Sequence, residues 1–483
     1  MAGRFLDSPR LYIALAGVLL VVGAYLQVDI TLPKRPVGTI EDDLPTLRER
    51  GDINVIWILI DTLRADRLGS YGYRRPTCPI MDAIARRGIR FANVESQSSW
   101  TKSSMASLWT AMYPQRAGVH HFSHALPEAA TMPAEILKDA GYRTAGIYRN
   151  GWVMPNFGFA QGFELYIRPR PSARKAEVRR PNPSARTLQG TDLDATESAI
   201  QFIQSNLESR FFAYIHYMDV HQYLYDESST LFGTGISDVY DNAIHWTDLN
   251  VGMLLKELED LGLADRTMIV ISSDHGEAFF EHGSEGHART LYTEVQRVPL
   301  IIHLPFRLGE GLVIDSTVAN IDVWPTILEI LGLDPIPGAD GRSLVPLIEA
   351  AARGDESQAT ELADRKVYSQ LNAFWGQTDR DPSNVLALVK GRYRMVNYEQ
   401  KDAWQLFDRS SDPREQLDIS QTHAALVDEF RQDLEHYLTV ENDQWETSSI
   451  EIDDMRLNQL RALGYAIPEV KNDKRKQRAG TRK

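Results

Sequence analysis

Three segments of this chain carry side chains that can bind a metal ion or attack an ester. Asp61 directly follows the apolar run 54–60, the pair Asp274 and His275 follows a second apolar run, and Thr101 lies in the small-residue stretch SSWTKSSMASL. Two carboxylates, an imidazole and a hydroxyl suit a divalent cation, with calcium, manganese, zinc and magnesium all left open by this ligand set. Such a cation lowers the pKa of a hydroxyl and polarises an anionic ester.

Each of these residues taken alone has a simpler explanation. An acid after a strand is commonly a helix cap, and so is a threonine before a helix. The prediction of a metal site therefore rests on the complete set and on no single member.

Apolar runs of strand length must position these side chains. Each run ends at acids or histidines, and helical patterns alternate with the runs along the chain, which predicts the α/β class. In open α/β sheets the active site lies at the carboxyl ends of the parallel strands. The predicted strands are Asn54 to Ile60, Phe211 to His216 and Thr267 to Ile271, and the predicted helices are Met81 to Arg87, Pro133 to Ala140, Asp194 to Ser205 and Tyr240 to Leu261.

The composition is that of a folded protein with an acidic surface. The 483 residues are 43% hydrophobic and 24% charged, and the formal net charge of −14 argues against a general nucleic-acid binder, because polyanions are held by basic surfaces. A single cysteine, Cys78, excludes an intramolecular disulfide and a cysteine-rich metal site.

An apolar segment near the N-terminus predicts attachment to a membrane. Leu11 to Val28 is an uncharged run of 18 residues, which is about the minimum for a tilted membrane-spanning helix. A cleaved signal peptide is the alternative. Because a lone cysteine also suits an oxidising compartment, we expect the remainder of the chain to lie outside the cytoplasm, in a periplasm or the extracellular space.

The chain resembles the sulfatase family within the alkaline phosphatase superfamily. The resemblance runs from about Asn54 to Leu347 and resumes near the C-terminus. It is carried by several ordered segments, which include IDTLRADRLGSYGYRRPTCPIMDAIARRGIRF, SSWTKSSMASLWTAMYPQRAG, FFAYIHYMDVHQY, SSDHGEAFFEHGSEGHARTLYTEVQRVPLII and WQLFDRSSDPREQLD.

This resemblance implies a mixed, largely parallel sheet sandwiched between helices, with a smaller C-terminal subdomain. We accordingly divide the chain into five parts. These are an anchor or signal at 1–30, a linker at 31–52, a catalytic domain at 53–350, the C-terminal subdomain at 351–468 and a basic disordered tail at 469–483.

The resemblance also implies roles for particular residues. It implies that Asp61, Asp274 and His275 bind metal and that Thr101 occupies the nucleophile position beside them. The other implied residues are His221, which contacts the ester anion or protonates the leaving group, His287, near the position of a lysine that holds the transferred group, and Arg149, at the lysine of a GKWH motif. Asp219, His282 and His287 are candidates for a second metal site.

The departures from the family pattern bear directly on the chemistry. Sulfatases make a formylglycine nucleophile from Cys or Ser in a C/S-x-P-x-R motif, and the corresponding stretch here reads TKSSM. No formylglycine is expected, and Cys78 lies in a different segment. Family members with threonine at this place resemble phosphodiesterases and phosphotransferases, which favours phosphoryl chemistry. Thr62 replaces a second aspartate of many sulfatases.

Two functions remain open on the sequence. The first is a metal-dependent hydrolase or transferase acting on a phosphate or sulfate ester of a glycan, a lipid headgroup or a small molecule. The second is a catalytically inactive, membrane-tethered protein that binds an anionic glycan or lipid headgroup through Arg149, His221 and the basic, proline-rich loop 168–186. The complete set of Asp61, Asp274 and His275 favours the enzyme, whereas a purely structural membrane protein does not explain it.

Overall fold

The computed structural model describes residues 35–171, 177–178, 190–355, 357–358, 361, 365–377 and 381–452. The predicted anchor at Leu11 to Val28, the basic tail at 469–483 and most of the loop 168–186 lie outside the described residues. Among the helices of the described residues, none combines the length and the hydrophobicity that a membrane span requires.

An eight-stranded sheet forms the centre of the molecule. Its spatial order is β8-β2-β7-β6-β1-β5-β3-β4, and every neighbouring pair is parallel except the two pairs made by β7. The predicted mixed, largely parallel sheet is therefore confirmed. In chain order its strands are β1 (Asn54–Ile60), β2 (Ile89–Glu95), β3 (Arg143–Ile147), β4 (Leu165–Ile167), β5 (Phe211–Tyr217), β6 (Thr267–Ser272), β7 (Arg297–His303) and β8 (Leu312–Ala319).

Helices cover both faces of this sheet, as the α/β prediction requires. Side chains alternate between the faces along each strand, so Trp57 of β1 joins one hydrophobic core while Ile56 and Ile58 join the other. Among the described residues, the helices of seven or more residues are α1 (Pro79–Ala85), α2 (Thr101–Thr110), α3 (Pro133–Asp139), α4 (Asp192–Gln204), α5 (Ile236–Asp260), α6 (Val323–Ile330), α7 (Val345–Ala352) and α8 (Ala424–Leu438).

A second, antiparallel sheet follows in the chain and forms the core of the C-terminal subdomain. Helix α8 packs on it through Phe430 and Leu434, which meet Leu388 and Leu406 of the sheet. The exact domain boundaries given above stay predictions. The strands of this sheet, which are neighbours in chain order, are β9 (Lys366–Asn372), β10 (Asn384–Lys390), β11 (Tyr393–Tyr398) and β12 (Ala403–Asp408).

Residues 35–52 belong to the fold, so the prediction of a linker there was wrong. Ile40, Leu44 and Leu47 are buried in the first hydrophobic core. Arg35 is also buried, and its guanidinium donates to the backbone oxygen of Thr267 over 2.7 Å. The apolar side chains are spaced three or four residues apart and so face the core together.

Candidate active site

Strand order brings the predicted metal ligands together. Strands β6, β1, β5 and β3 are adjacent and parallel, so their carboxyl ends meet at one edge of the sheet. Asp61 follows β1, and Asp274 and His275 follow β6. One ligand atom from each of these three residues lies within 4.8 Å of the other two, and all three side chains are fully buried.

The carboxylates of this cluster are incompletely paired inside the protein. Asp61 Oδ1 and Asp274 Oδ2 are buried and have no hydrogen-bond partner among the described residues. Burial and the charge of Asp61 raise the pKa of Asp274, whereas for Asp61 the neighbouring imidazoles of His221 and His216 outweigh burial and lower the pKa. Buried carboxylate oxygens without partners are unfavourable unless a cation neutralises them. The donor set therefore fits a divalent metal ion.

Hydrogen bonding fixes the orientation of His275. Its Nδ1 lies 3.0 Å from the backbone oxygen of Gly276, which can only accept, so Nδ1 carries the proton. The Nε2 lone pair consequently faces Thr101 Oγ1 at 3.1 Å and Asp274 Oδ2 at 3.3 Å. A histidine held in this way by a backbone carbonyl is a common arrangement in metal sites.

Thr101 begins helix α2 beside this cluster. Trp100 is the extended residue that precedes the helix, and Thr101 is buried with its Oγ1 directed at His275. The first backbone N–H groups of a helix lack intrahelical acceptors, and the helix dipole places partial positive charge there. This position suits a hydroxyl that meets an incoming oxyanion.

Two residues that sequence reasoning did not select complete the surroundings of Asp61. The Asn150 amide donates to Asp61 Oδ2 over 2.6 Å and lies 3.4 Å from Thr101 Oγ1. The Nε2 of His216 donates to the same Oδ2 over 3.1 Å, and its Nδ1 bonds the Tyr214 hydroxyl at 2.7 Å. Their placement at the carboxyl ends of β3 and β5 is the one signal in the sequence that points to them.

Arg149 is placed differently from the expectation that it meets a substrate anion. Its Nη1 lies 2.7 Å from Asp192 Oδ1 and 2.5 Å from Asp219 Oδ1, and all three side chains are buried. The guanidinium is thus bound by two carboxylates of the protein. Its neighbour Asn150 points into the cluster instead, because consecutive side chains of an extended segment point in opposite directions.

The other two predicted histidines form a row with His275. The ring centres of His275 and His287 are 4.6 Å apart, and those of His287 and His221 are 4.9 Å apart. Burial lowers the pKa of His221 to about 4. Burial also acts to lower the pKa of His287, but Glu277, whose Oε1 lies 3.0 Å from its Nδ1, reverses this and raises it. Glu277 was likewise not selected from the sequence.

Of the three residues considered for a second metal site, His287 lies beside the first site, whereas Asp219 and His282 have other partners. Asp219 pairs with Arg149, and His282 bonds Glu294 through Nδ1 at 2.8 Å. Thr62 donates its hydroxyl to the backbone oxygen of Asp61 over 2.6 Å and holds φ at 61°, while its N–H reaches Asp274 Oδ1 at 3.2 Å. Within the described residues, Asp61, Asp274 and His275 are the group with metal-site geometry.

Comparisons with known proteins agree with the fold. The family model for sulfatases matches residues 53–333, and the model for the C-terminal region of N-sulphoglucosamine sulphohydrolase matches residues 281–443. Human steryl-sulfatase is 28% identical over 256 residues, which are 46% of this chain and 42% of that protein. This chain thus spans less than half of that relative. The ulvan-active sulfatase of Formosa agariphila is 23% identical over 431 residues, 78% of this chain and 82% of that protein.

Solved structures share the overall fold. Ps i-CgsB, crystallised with k-i-k-neocarrahexaose, has a TM-score of 0.65 at 18% identity, covering 86% of this chain and 98% of that one. The phosphonate monoester hydrolase of Agrobacterium radiobacter has a TM-score of 0.61 at 16% identity, covering 80% and 95%.

Proposed function

The chain belongs to the sulfatase family, whose model matches more than half of it, and we propose that it is a metal-dependent hydrolase of anionic esters in which unmodified Thr101 is the nucleophile. The observation that carries this proposal is the placement of the Thr101 hydroxyl 3.1 Å from His275 Nε2, next to two carboxylates with unpaired oxygens. A threonine that only caps a helix does not require a histidine nitrogen and two carboxylates beside its hydroxyl.

The residues that would hold the metal are Asp61, Asp274 and His275, with the Thr101 oxygen completing the set. A divalent cation there supplies positive charge that lowers the pKa of a hydroxyl and offsets the charge of the ester. Asn150 and His216 hold Asp61 in place through its Oδ2. Orienting partners of this kind commonly affect metal affinity or activity by about 10- to 100-fold.

In the proposed reaction, the Thr101 hydroxyl releases its proton to water, and its oxygen attacks the phosphorus or sulfur atom. A bond forms between Oγ1 and that atom, the bond to the leaving-group oxygen breaks, and this oxygen takes a proton from water. We assign His287 to the charged oxygens of the transferred group, because Glu277 supports its positive charge, and His221 to the leaving-group oxygen. Arg149 has a positioning role through Asp219, since its guanidinium is already bound by carboxylates.

A threonine nucleophile favours phosphoryl over sulfuryl transfer. A formylglycine hydrate carries two hydroxyls, and the second allows the bound group to be expelled by elimination. Threonine has one hydroxyl, so the transferred group leaves only when water or another acceptor attacks the phosphorus or sulfur atom. The fold shared with a phosphonate monoester hydrolase is compatible with this preference. The ulvan-active sulfatase keeps sulfate esters of glycans as candidate substrates, and steryl-sulfatase keeps those of sterols.

A matched series of nitrophenyl esters tests the proposal. We expect turnover of the phosphate monoester, phosphodiester or phosphonate to exceed that of the sulfate ester, to require added calcium, manganese, zinc or magnesium, and to stop in chelator. A preference for the sulfate ester would overturn the phosphoryl assignment. Stoichiometric metal without turnover of any ester would favour the binding protein that the sequence left open.

We also propose that Leu11 to Val28 anchors the protein and that the active site lies outside the cytoplasm. The support is the length of this uncharged run. The protein should then remain with membranes after a high-salt wash, and its N-terminus should be Met1 or Ala2. A mature N-terminus between Ala24 and Lys34 would show cleavage instead.

A further inference from the structure

Three tryptophans pack together beside the nucleophile position. Trp100 comes directly before Thr101, Trp152 lies two residues after Asn150, and Trp375 follows strand β9 of the C-terminal subdomain. The rings of Trp100 and Trp375 are stacked with their centres 4.6 Å apart, and Trp152 meets these two rings edge to face at 5.3 and 5.7 Å. We call these three residues the tryptophan cluster. Through it, the C-terminal subdomain reaches the candidate active site.

Trp375 is also linked to the residue on the other side of Thr101. The Phe122 N–H donates to the backbone oxygen of Trp375 over 2.9 Å, and Lys102 Nζ donates to the backbone oxygen of Phe122 over 2.7 Å. Lys102 and Phe122 are buried, so these hydrogen bonds are shielded from water. Both neighbours of Thr101, Trp100 and Lys102, are therefore held by contacts that lead to Trp375.

The indole N–H of Trp375 holds the segment that carries His287. It donates to the backbone oxygen of Ala288 over 3.3 Å, and the Ala288 N–H donates to the backbone oxygen of Ser99 over 2.8 Å. The φ angle of Ala288 is 58°, a left-handed conformation that residues with a Cβ rarely adopt and that persists where the surrounding structure holds it. Because Ala288 directly follows His287, the direction of the imidazole depends on this backbone geometry.

We propose that Trp375 is a positioning residue of the active site, which fixes the Thr101 hydroxyl and the His287 imidazole relative to each other. A tryptophan offers a large flat ring and one N–H donor. Here the ring packs on the segment of Thr101, and the N–H bonds the segment of His287. Trp375 is itself buried, so it acts on the ester through these two residues.

This inference makes the C-terminal subdomain part of the catalytic geometry, and it rests on the proposed hydrolase function. The large sheet alone positions the metal ligands, because Asp61, Asp274 and His275 follow its strands β1 and β6. The distance between the nucleophile and the group that meets the transferred oxygens depends in addition on a residue of the second sheet. Loss of Trp375 should therefore slow the chemical step and leave metal binding intact.

The test compares Trp375→Ala and Trp375→Phe in the full-length protein, with the metal and the nitrophenyl ester that give the wild type its fastest turnover. We expect kcat of Trp375→Ala to fall by about 30- to 100-fold and KM to change little, because displaced reacting groups slow the chemical step. Trp375→Phe keeps a ring on Trp100 but loses the bond to Ala288, so kcat should fall by about two- to tenfold. The matched control is Trp404→Ala, which removes a tryptophan of the same subdomain whose N–H bonds Asp402, and its kcat should stay nearly unchanged.

Hydrogen exchange followed by mass spectrometry, without substrate, gives a second readout. In Trp375→Ala, the peptides that contain Thr101 and His287 should exchange faster than in the wild type, and in Trp404→Ala they should not. Melting temperatures establish that each variant is folded. If Trp375→Ala does not fold, Trp375→Phe serves in both measurements.

Unchanged kcat or unchanged exchange of both peptides in the folded Trp375 variant would overturn the proposal. A higher KM with the wild-type kcat would also overturn it, because Trp375 would then act on substrate binding, and so would loss of metal from the variant. A wild type that hydrolyses no ester would remove the proposed function. In that case faster exchange in Trp375→Ala would still support the positioning of the two segments, and unchanged exchange would refute it.

Discussion

Two regions of this molecule bury several carboxylates, and they treat them in opposite ways. At the junction with the C-terminal subdomain, Arg394 lies between Glu95 and Glu415, and its Nε is 2.7 Å from Glu415 Oε1. Arg409 pairs with Glu95 from a second side. Each carboxylate there faces an arginine of the protein, so its charge is balanced within the chain. We call this group the closed cluster.

At the sheet edge, Asp61, Asp274 and His275 form a group that we call the open cluster, because some of its carboxylate oxygens are not paired within the described part of the chain. Asp61 Oδ1 and Asp274 Oδ2 lack hydrogen-bond partners among the described residues, and His275 Nε2, 3.3 Å from Asp274 Oδ2, presents a lone pair. Electron-rich atoms gathered in this way require a cation from outside the chain. Burial of acids is thus common to both regions, and the presence of a counter-ion within the protein separates a structural cluster from a functional one.

Breaking the open cluster should have the largest effect of all, and this effect should appear in metal content and turnover. We expect Asp274→Asn to lose stoichiometric metal in elemental analysis and at least about 1,000-fold in turnover, or more than about 4 kcal/mol of transition-state stabilisation. Folding in the absence of metal should persist, because the substitution removes a buried charge. The control is Asp340→Asn, whose carboxylate pairs with Arg116 away from the cluster. Full metal content in Asp274→Asn would refute the site.

Breaking the closed cluster should affect stability and leave metal content unchanged. Arg394→Met leaves Glu95 and Glu415 buried without their shared partner, which we expect to reduce the free energy of unfolding by about 3–5 kcal/mol. The matched control is Lys256→Met, which removes an exposed partner of Asp260 and should leave the free energy of unfolding nearly unchanged. Urea denaturation measures both. Equal effects of Arg394→Met and Lys256→Met would show that Arg394 does not stabilise the buried carboxylates at the junction.

Within the open cluster, the residues behind the histidines should have intermediate effects. Glu277→Gln keeps the shape of the side chain but removes the charge that supports His287, and we expect turnover to fall by about 10- to 100-fold with little change in melting temperature. Glu329→Gln, at a surface pair with Arg48, serves as the control. Full activity in Glu277→Gln would show that turnover does not depend on the carboxylate that pairs with His287.

The smallest effect should come from His282, which lies beside the closed cluster because its Nε2 bonds the backbone oxygen of Glu415 over 2.8 Å. It should make stability depend on pH. Burial acts to lower the pKa of His282, but its bond to Glu294 outweighs burial and raises the pKa above its ordinary value of 6.5. The resulting stabilisation is complete below pH 6.5 and is lost as the pH rises through the higher folded-state pKa. In urea denaturation, His282→Gln should therefore flatten this decline with rising pH. An identical pH profile in the variant would exclude His282 as its source.

The sequence was informative about the open cluster because its ligands follow apolar strands. The runs before Asp61 and Asp274 predict buried parallel strands, and the structure places their carboxyl ends side by side in β1 and β6. The fold class follows from the same alternation of strands and helices. Threonine at position 101 is likewise visible in the sequence, and its position before a small-residue helix was predicted.

The rest depended on three-dimensional neighbours that a linear pattern does not contain. Asn150 and His216 act through their contacts with Asp61, and Glu277 acts through His287. A lone polar residue near the end of a strand has no periodic signal. Arg149 was selected where Asn150 points into the site, since a change of one position in an extended segment turns the side chain to the other side. The closed cluster joins β2 to β11 and to the segment that follows β12, so nothing local in the sequence indicates it.

The most direct test of the central claim is mass spectrometry of the Thr101 peptide after quenching the enzyme with substrate, together with the turnover of two variants. The account predicts plain threonine before substrate, a phosphate adduct on Thr101 after quenching, near-complete loss of turnover in Thr101→Ala and partial activity in Thr101→Ser. Loss of a helix cap alone costs only about 1 kcal/mol of stability, so Thr101→Ala should fold and bind metal. Full activity in Thr101→Ala, or an oxidised residue at position 101, would contradict the account.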